Sequence, residues 1–178
     1  MGFTLQQLSD LEEIKMLKHR YFRAIDTADW ALVENMFTDD VFVEYIGGNY
    51  RVELHGDANM REFLANSFVA ETMAMHHGHM PEISFTGPDE AEGIWYLEDI
   101  FIHFGRKDHT YGTAIYRDVY RREDGVWKMA RTVYDRVMEV VMPLQEGAQY
   151  TVHRLAQTGR KPHEVKDISH LITWDNLA

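Results

Sequence analysis

The 178-residue sequence predicts an α+β fold, a curved and mostly antiparallel sheet rolled into a cone with about three helices over its open face. Three observations predict it. Apolar residues recur at helical spacing near the N-terminus. From Met75 onward the pattern changes to long extended stretches, and turn-forming residues separate those stretches. Helices first and then a meander of strands is an α+β order, not the alternation of an α/β fold.

The elements follow in order. Leu8, Leu11, Ile14, Leu17, Tyr21 and Ile25 form the stripe of a core-facing helix over Leu5–Ile25, with Ser9 or Asp10 as candidate caps. A short helix is expected at about Trp30–Phe37, closed by Asp39-Asp40. The β-rich run Val41–Ile46 then turns through Gly47-Gly48-Asn49 into Tyr50–Leu54. Met60, Phe63, Leu64 and Phe68 mark a third helix over Asp57–Phe68. Four strands are expected at Met75–Phe85, Ala91–Phe104, Tyr111–Arg121 and Val126–Val141. Thr86-Gly87-Pro88-Asp89, Gly105-Arg106-Lys107-Asp108 and Glu123-Asp124-Gly125 separate them. Residues 1–142 thus form one domain. Residues 143–178 read as an extension with a short helix near Tyr150–Ala156.

Composition narrows the function. The net charge is −11, which opposes binding to nucleic acid or to an anionic membrane, and basic residues adjoin only in pairs. Cysteine is absent, so disulfides, thiolate nucleophiles and cysteine metal sites are excluded. Acidic residues stand where a signal peptide would be basic and then apolar, and the expected location is cytoplasmic. Ten histidines beside 4 Trp, 9 Tyr and 10 Met point to an aromatic pocket with proton chemistry. A cone with an apolar interior is a small-molecule scaffold, and its polar interior residues decide what it does.

Three histidines stand close together in Met75-His76-His77-Gly78-His79-Met80. Strand alternation puts His76 with Gly78 and Met80 on one face, and His77 with His79 on the other. Each is either a hydrogen-bonded or exposed side chain, or a general base oriented by a carboxylate. A metal site needs a third ligand, and no HExxH pair exists, so none is expected. In Trp95-Tyr96-Leu97-Glu98-Asp99, Asp99 shares a face with Trp95 and Leu97, and Glu98 takes the other face. One of the two carboxylates therefore faces inward, paired in a salt bridge or serving beside a histidine. Tyr21 lies on the core stripe, and Asp26 follows at the helix end, where the helix dipole opposes a carboxylate. Asp26 therefore either caps the next helix or is held by a partner. Tyr45, Tyr116 and Tyr134 add phenols on strands, and Arg136 on the last strand is a surface residue or an anion clamp.

Together, KHRYFRAID (Lys18–Asp26), MHHGHMPEI (Met75–Ile83), WYLED (Trp95–Asp99), TAIYRDVYRREDGVWK and VYDRVMEV resemble the nuclear transport factor 2-like superfamily. The likeness is to its SnoaL-like branch, which includes scytalone dehydratase, and within that branch to the bacterial bile acid 7α-dehydratases. It covers about residues 8–140 and fades after Pro143. The resemblance implies a catalytic set of Tyr21, Asp26, His76 and Asp99, with Tyr45 as a further pocket tyrosine; Trp95, Tyr116 and Arg136 are the remaining candidates for contact with the substrate. The chemistry it implies is loss of water from a 7-hydroxysteroid, with no cofactor and no metal; the alternatives on the same scaffold are a ketosteroid-isomerase-like or polyketide-cyclase-like activity with a carboxylate base, and a non-catalytic small-molecule-binding protein. His77 departs from the family, which more usually has an apolar residue there. The family also implies a homo-oligomer, a trimer foremost, with the extension free to cover a neighbour.

Overall fold

In a computed structural model of the chain, residues 2–174 are described. Their elements are α1 (Leu5–Thr27), α2 (Trp30–Val33), β1 (Phe37–Ile46), β2 (Tyr50–His55), α3 (Asp57–Ser67), β3 (Thr72–Phe85), β4 (Glu90–His103), β5 (Asp108–Glu123), β6 (Val126–Pro143), α4 (Leu155–Thr158) and β7 (Ile172–Trp174). The seven strands form one sheet in the order β3-β4-β5-β6-β1-β2-β7. β3 to β6 pair antiparallel as successive hairpins, and β1 joins β6 in parallel. The result is the expected α+β roll. Register breaks between His79 and Glu82, between Thr113 and Ala114, and between Val119 and Tyr120 bend it. Each inserts an extra residue into one strand, which increases local twist and curls the sheet.

The inner face holds the core. Val41, Val43, Leu97, Ala114, Tyr120 and Met129 are buried there beneath α1 and α3. α1 packs on β3 and β6, and α3 packs on β1 and β2. Burying these side chains is worth about 1.5–3 kcal/mol for each large residue.

Several boundaries differ from expectation for visible reasons. α1 begins at Leu5 as expected, but its cap is Thr4, in a capping box in which the Thr4 hydroxyl accepts from the Gln7 amide at 3.1 Å and Gln7 accepts from the Thr4 amide at 2.9 Å. Asp10 is therefore no cap. It is buried within the helix, where its carboxylate accepts from Arg122 at 2.7 Å and from the Trp127 indole at 3.1 Å. α1 also runs on to Thr27, so Asp26 lies in its last turn. α2 stops at Val33, because Phe37 already pairs with Met129 on β6. Asp39 and Asp40 thus stand in a strand.

Beyond β6 the chain folds back on its own domain. Its helix is shorter and later than expected, with Leu155 buried. Gly159 sits so close to α3's exit that a Cβ would lie 2.6 Å from the Val69 carbonyl carbon. Arg160 reaches Glu62 and Asn66, and β7 pairs antiparallel with β2. Positions 175–178 of the expected extension lie outside the described residues. Among the described residues no helix is long and apolar enough to cross a membrane.

Candidate active site

A cavity of about 720 Å³ opens between the sheet, α3 and the returning tail. Its inner wall carries Tyr21, Tyr45, His76, Asp99, Tyr116 and Arg136, and Tyr134 lies beside them. Apolar and aromatic walls with a few polar groups are the general form of a small-molecule site.

His76 and Asp26 make the closest polar pair. Asp26 Oδ1 lies 2.6 Å from His76 Nδ1, and its Oδ2 accepts from the His76 backbone N–H at 3.0 Å. One carboxylate thus fixes both the strand and the ring. α1 supplies it because its last turn ends directly beneath β3, and this contact is what holds an acidic residue at a helix C-terminus against the dipole. With Nδ1 occupied, Nε2 is the ring nitrogen left for the cavity. The ring is set between Phe22, stacked at 4° with centroids 6.1 Å apart, and Phe68, edge-on at 5.5 Å. Gly78 makes the Phe22 contact possible, since a Cβ there would fall 2.4 Å from Phe22 Cε2.

Asp99 is the inward member of the Glu98–Asp99 pair, only 3% exposed. It stands directly across the ladder from His76. Its carboxylate is bound by both terminal nitrogens of Arg136, Nη2 to Oδ2 at 2.9 Å, and the Glu139 carboxylate lies 3.2 Å from Arg136 Nε. Asp99 hydrogen bonds raise the Arg136 guanidinium further above its already high range, although burial itself works against the charge. The guanidinium carbon sits 5.3 Å from the Tyr134 ring centre. Asp26 and Asp99 were expected together in one catalytic set with His76. The structure divides them, Asp26 to His76 and Asp99 to Arg136.

Tyr21 and Tyr45 meet hydroxyl to hydroxyl at 3.0 Å, and Tyr45 also lies 3.8 Å from the Met60 sulfur. A thioether is a weak acceptor, so the Tyr45 proton is better placed on the Tyr21 oxygen. That leaves the Tyr21 proton free for a ligand. Burial pushes the Tyr21 phenol up to about 12, and it pushes Tyr45 and Tyr116 well above the usual range. All three are neutral donors near neutral pH. Tyr50 and Tyr134 form a second hydroxyl pair nearer the mouth.

Trp95 does not reach the cavity. It faces inward as alternation requires, but α1 covers that stretch of β4, with His19 edge-on to the indole at 5.9 Å. Its Nε1 donates to the Tyr120 hydroxyl at 2.9 Å, so it belongs to the closed end of the cone and its expected substrate contact is corrected.

Sequence reasoning missed Lys18 and Asp118. Both side chains are fully buried and pair at 2.7 Å. Asp118 also accepts from Tyr120 and Thr132, each at 2.7 Å. The ammonium lies 3.6 Å from the Tyr116 ring centre, a cation–π contact beneath a cavity tyrosine. Burial lowers the Lys18 ammonium from its usual range, while Asp118 opposes the fall. A signal existed, because Lys18 falls on the helical stripe between Ile14 and Tyr21. A lysine on an apolar stripe calls for a buried partner.

Residues 6–133 match the family described as the SnoaL-like domain. Solved structures share the fold. A hexachlorocyclohexane dehydrochlorinase, LinA type 2, is 19% identical over 83% of this chain and 99% of its own, with a TM-score of 0.70. The LinA type 3 enzyme of Novosphingobium barchaimii is 19% identical over 83% of this chain and 98% of its own, with a TM-score of 0.68. A Novosphingobium aromaticivorans protein provisionally named as a scytalone dehydratase is 19% identical over 81% and 97%, with a TM-score of 0.67.

Proposed function

This chain belongs to the SnoaL-like domain family, and from that premise we propose that it is a cofactor-independent dehydratase, a hydro-lyase removing water from a 7-hydroxysteroid-like 3-oxo substrate. The observation that carries the reading is the Asp26–His76 dyad set in the wall of an aromatic cavity. A volume of about 720 Å³ lies within the roughly 300–1,000 Å³ that small-molecule sites take. The neighbours' chemistry agrees with it, since two of them are named for eliminating hydrogen chloride and one for eliminating water.

In the proposed reaction, His76 Nε2 takes a proton from the carbon next to the activated position. The electron pair left on that carbon forms the new double bond as hydroxide departs, and the same imidazolium returns the proton to it as water. Asp26 holds the ring in the tautomer with Nδ1–H and stabilises the imidazolium. Tyr21, backed by Tyr45, donates to the substrate oxygen on which negative charge develops. Asp99 stays in the proposed catalytic set as the cross-strand neighbour of His76. Arg136 supplies the positive charge that makes two carboxylates tolerable around one imidazole. Tyr45, Tyr116 and Tyr134 provide the aromatic floor.

An isomerase using Asp26 directly as the base is the poorer reading. Both Asp26 oxygens are taken by His76, and the carboxylate lies behind the ring, off the cavity wall. The test is to incubate the protein with 3-oxo-4-ene steroids bearing a 7α or 7β hydroxyl and to follow loss of one water by mass. Turnover that vanishes in a folded His76→Ala variant supports the reading. Tight binding without any water loss overturns it in favour of a non-catalytic carrier. A cytoplasmic homotrimer belongs to the same proposal and rests on the family resemblance; sedimentation velocity reads the assembly.

A further inference from the structure

The rung that places His76 opposite Asp99 in the cavity has a neighbour facing the other way, with His77 directly opposite Glu98. His79, two residues on, shares that outer face. One nitrogen from each histidine and one carboxylate oxygen of Glu98 lie within 4.8 Å of one another. We propose that His77, His79 and Glu98 form a site for a divalent transition-metal ion such as Zn²⁺, outside the cavity and independent of the reaction proposed above.

Three features support it. Two imidazoles at i and i+2 on a strand with a carboxylate on the facing strand supply the nitrogen and oxygen donors that Zn²⁺ prefers, and a water completes the tetrahedron. The His79 Nε2 to Glu98 Oε2 separation is 3.5 Å. Two ligands with bonds of 2.0–2.1 Å around a tetrahedral ion lie about 3.4 Å apart, so this edge of the site is already set. Glu98 is also oriented from behind, because the Tyr111 hydroxyl donates to Oε1 at 3.3 Å and leaves Oε2 toward the histidines. Such outer hydrogen bonds are what fix a metal-binding carboxylate. The sequence lacked the third ligand because the register of β3 against β4 is not visible in either strand alone.

The experiment uses tag-free protein treated with a chelator, titrated with Zn²⁺ against a chromophoric indicator, and then with Co²⁺ to record visible absorption. One equivalent should bind, with the cobalt spectrum of a four- or five-coordinate nitrogen and oxygen site. Saturation should raise Tm by several degrees. His77→Gln and His79→Gln should each weaken binding at least about tenfold. His76→Gln, whose ring faces the cavity, should bind as the parent does. Absence of one-to-one binding below millimolar Zn²⁺ overturns the proposal. So does binding that survives the double His77→Gln, His79→Gln variant or that is lost in His76→Gln. No arm needs a substrate, so failure here leaves the dehydratase reading standing.

Discussion

Replacing Asp26 with Asn tests the dyad at one atom. Asp26 accepts two N–H donors at once, the His76 ring nitrogen at 2.6 Å and the His76 backbone at 3.0 Å. Asparagine has one acceptor oxygen. The backbone N–H cannot turn away, so the amide oxygen stays with it and the amide NH₂ faces Nδ1. That contact favours the tautomer with its proton on Nε2, and the free nitrogen of the base is lost. Restoring the productive tautomer leaves two donors facing each other, about 1–3 kcal/mol, and the imidazolium loses a charge-assisted hydrogen bond of about 1.5–3 kcal/mol. A sum near 4 kcal/mol lowers kcat about a thousandfold, at 1.36 kcal/mol per factor of ten.

The fold should hardly notice. One neutral hydrogen bond replaces a charged one at a half-buried position, a loss of about 1 kcal/mol. Tm should then fall by about 2–4 °C for a chain of this size. The assays are steady-state turnover on whichever 7-hydroxysteroid loses water, thermal unfolding, and ¹⁵N NMR of the histidine ring to read the tautomer. Wild-type turnover in Asp26→Asn, or an Nε2–H tautomer of His76 in the parent protein, refutes the dyad as the base.

Tyr21→Phe should lower kcat about a hundredfold with little change in KM, the usual effect of removing one donor to a developing oxyanion. Because burial raises the Tyr21 phenol to about 12, the donor form persists on the alkaline side, and the pH–rate profile should show no fall from it below about pH 11. Gly78→Ala drives a methyl into Phe22 and should destabilise by about 1–3 kcal/mol in urea unfolding, with kcat falling as the stacked His76 ring shifts. Glu62 is held at about 2 by Arg160 and Lys166, so its stabilising effect is complete above the ordinary carboxylate range and disappears as pH falls through about 2. With its side chain 37% exposed, that effect is about 1 kcal/mol at most. Glu62→Gln should therefore be slightly less stable at pH 6 and equal to the parent near pH 2, and a gap that persists in acid counts against the link. Finally, a substrate free acid and its neutral ester should differ less than about tenfold in KM, a gap under 1.4 kcal/mol.

What could be read from the sequence was whatever period and local chemistry encode. Alternation alone set Asp99 and Glu98 on opposite faces, so that one of them had to point inward, and the helix dipole alone marked Asp26 as either a cap or a residue in need of a partner. What could not be read depends on register. Arg136 meets Asp99 because β5 and β6 shift between Thr113 and Ala114, setting Ala114 opposite Arg136 instead of Val137. Beyond the shift Met138 turns outward, although it has the same parity as Tyr134 and Arg136. A bulge leaves no mark in composition. The tail was illegible for another reason. Its docking rests on scattered contacts, Leu155 in the core, Gly159 against Val69 and Arg160 on Glu62, and on the three-residue strand β7 against β2, all too short to show a period.

The net charge of −11 sharpens the proposed substrate. An acidic protein acting on a steroid acid needs a free cation near the cavity, and the basic side chains there are already engaged. Arg136 is shared by Asp99 and Glu139, Arg106 by Asp108, and Lys166 by Glu62. Pulling Arg136 away from Asp99 would strand a buried carboxylate, a change that costs several kcal/mol and that one exposed substrate carboxylate does not repay. On the proposed reading, then, affinity comes from the aromatic walls and from neutral donors such as Tyr21. A charged tail on the substrate points out through the mouth into water, and the chemistry is indifferent to how that tail is conjugated.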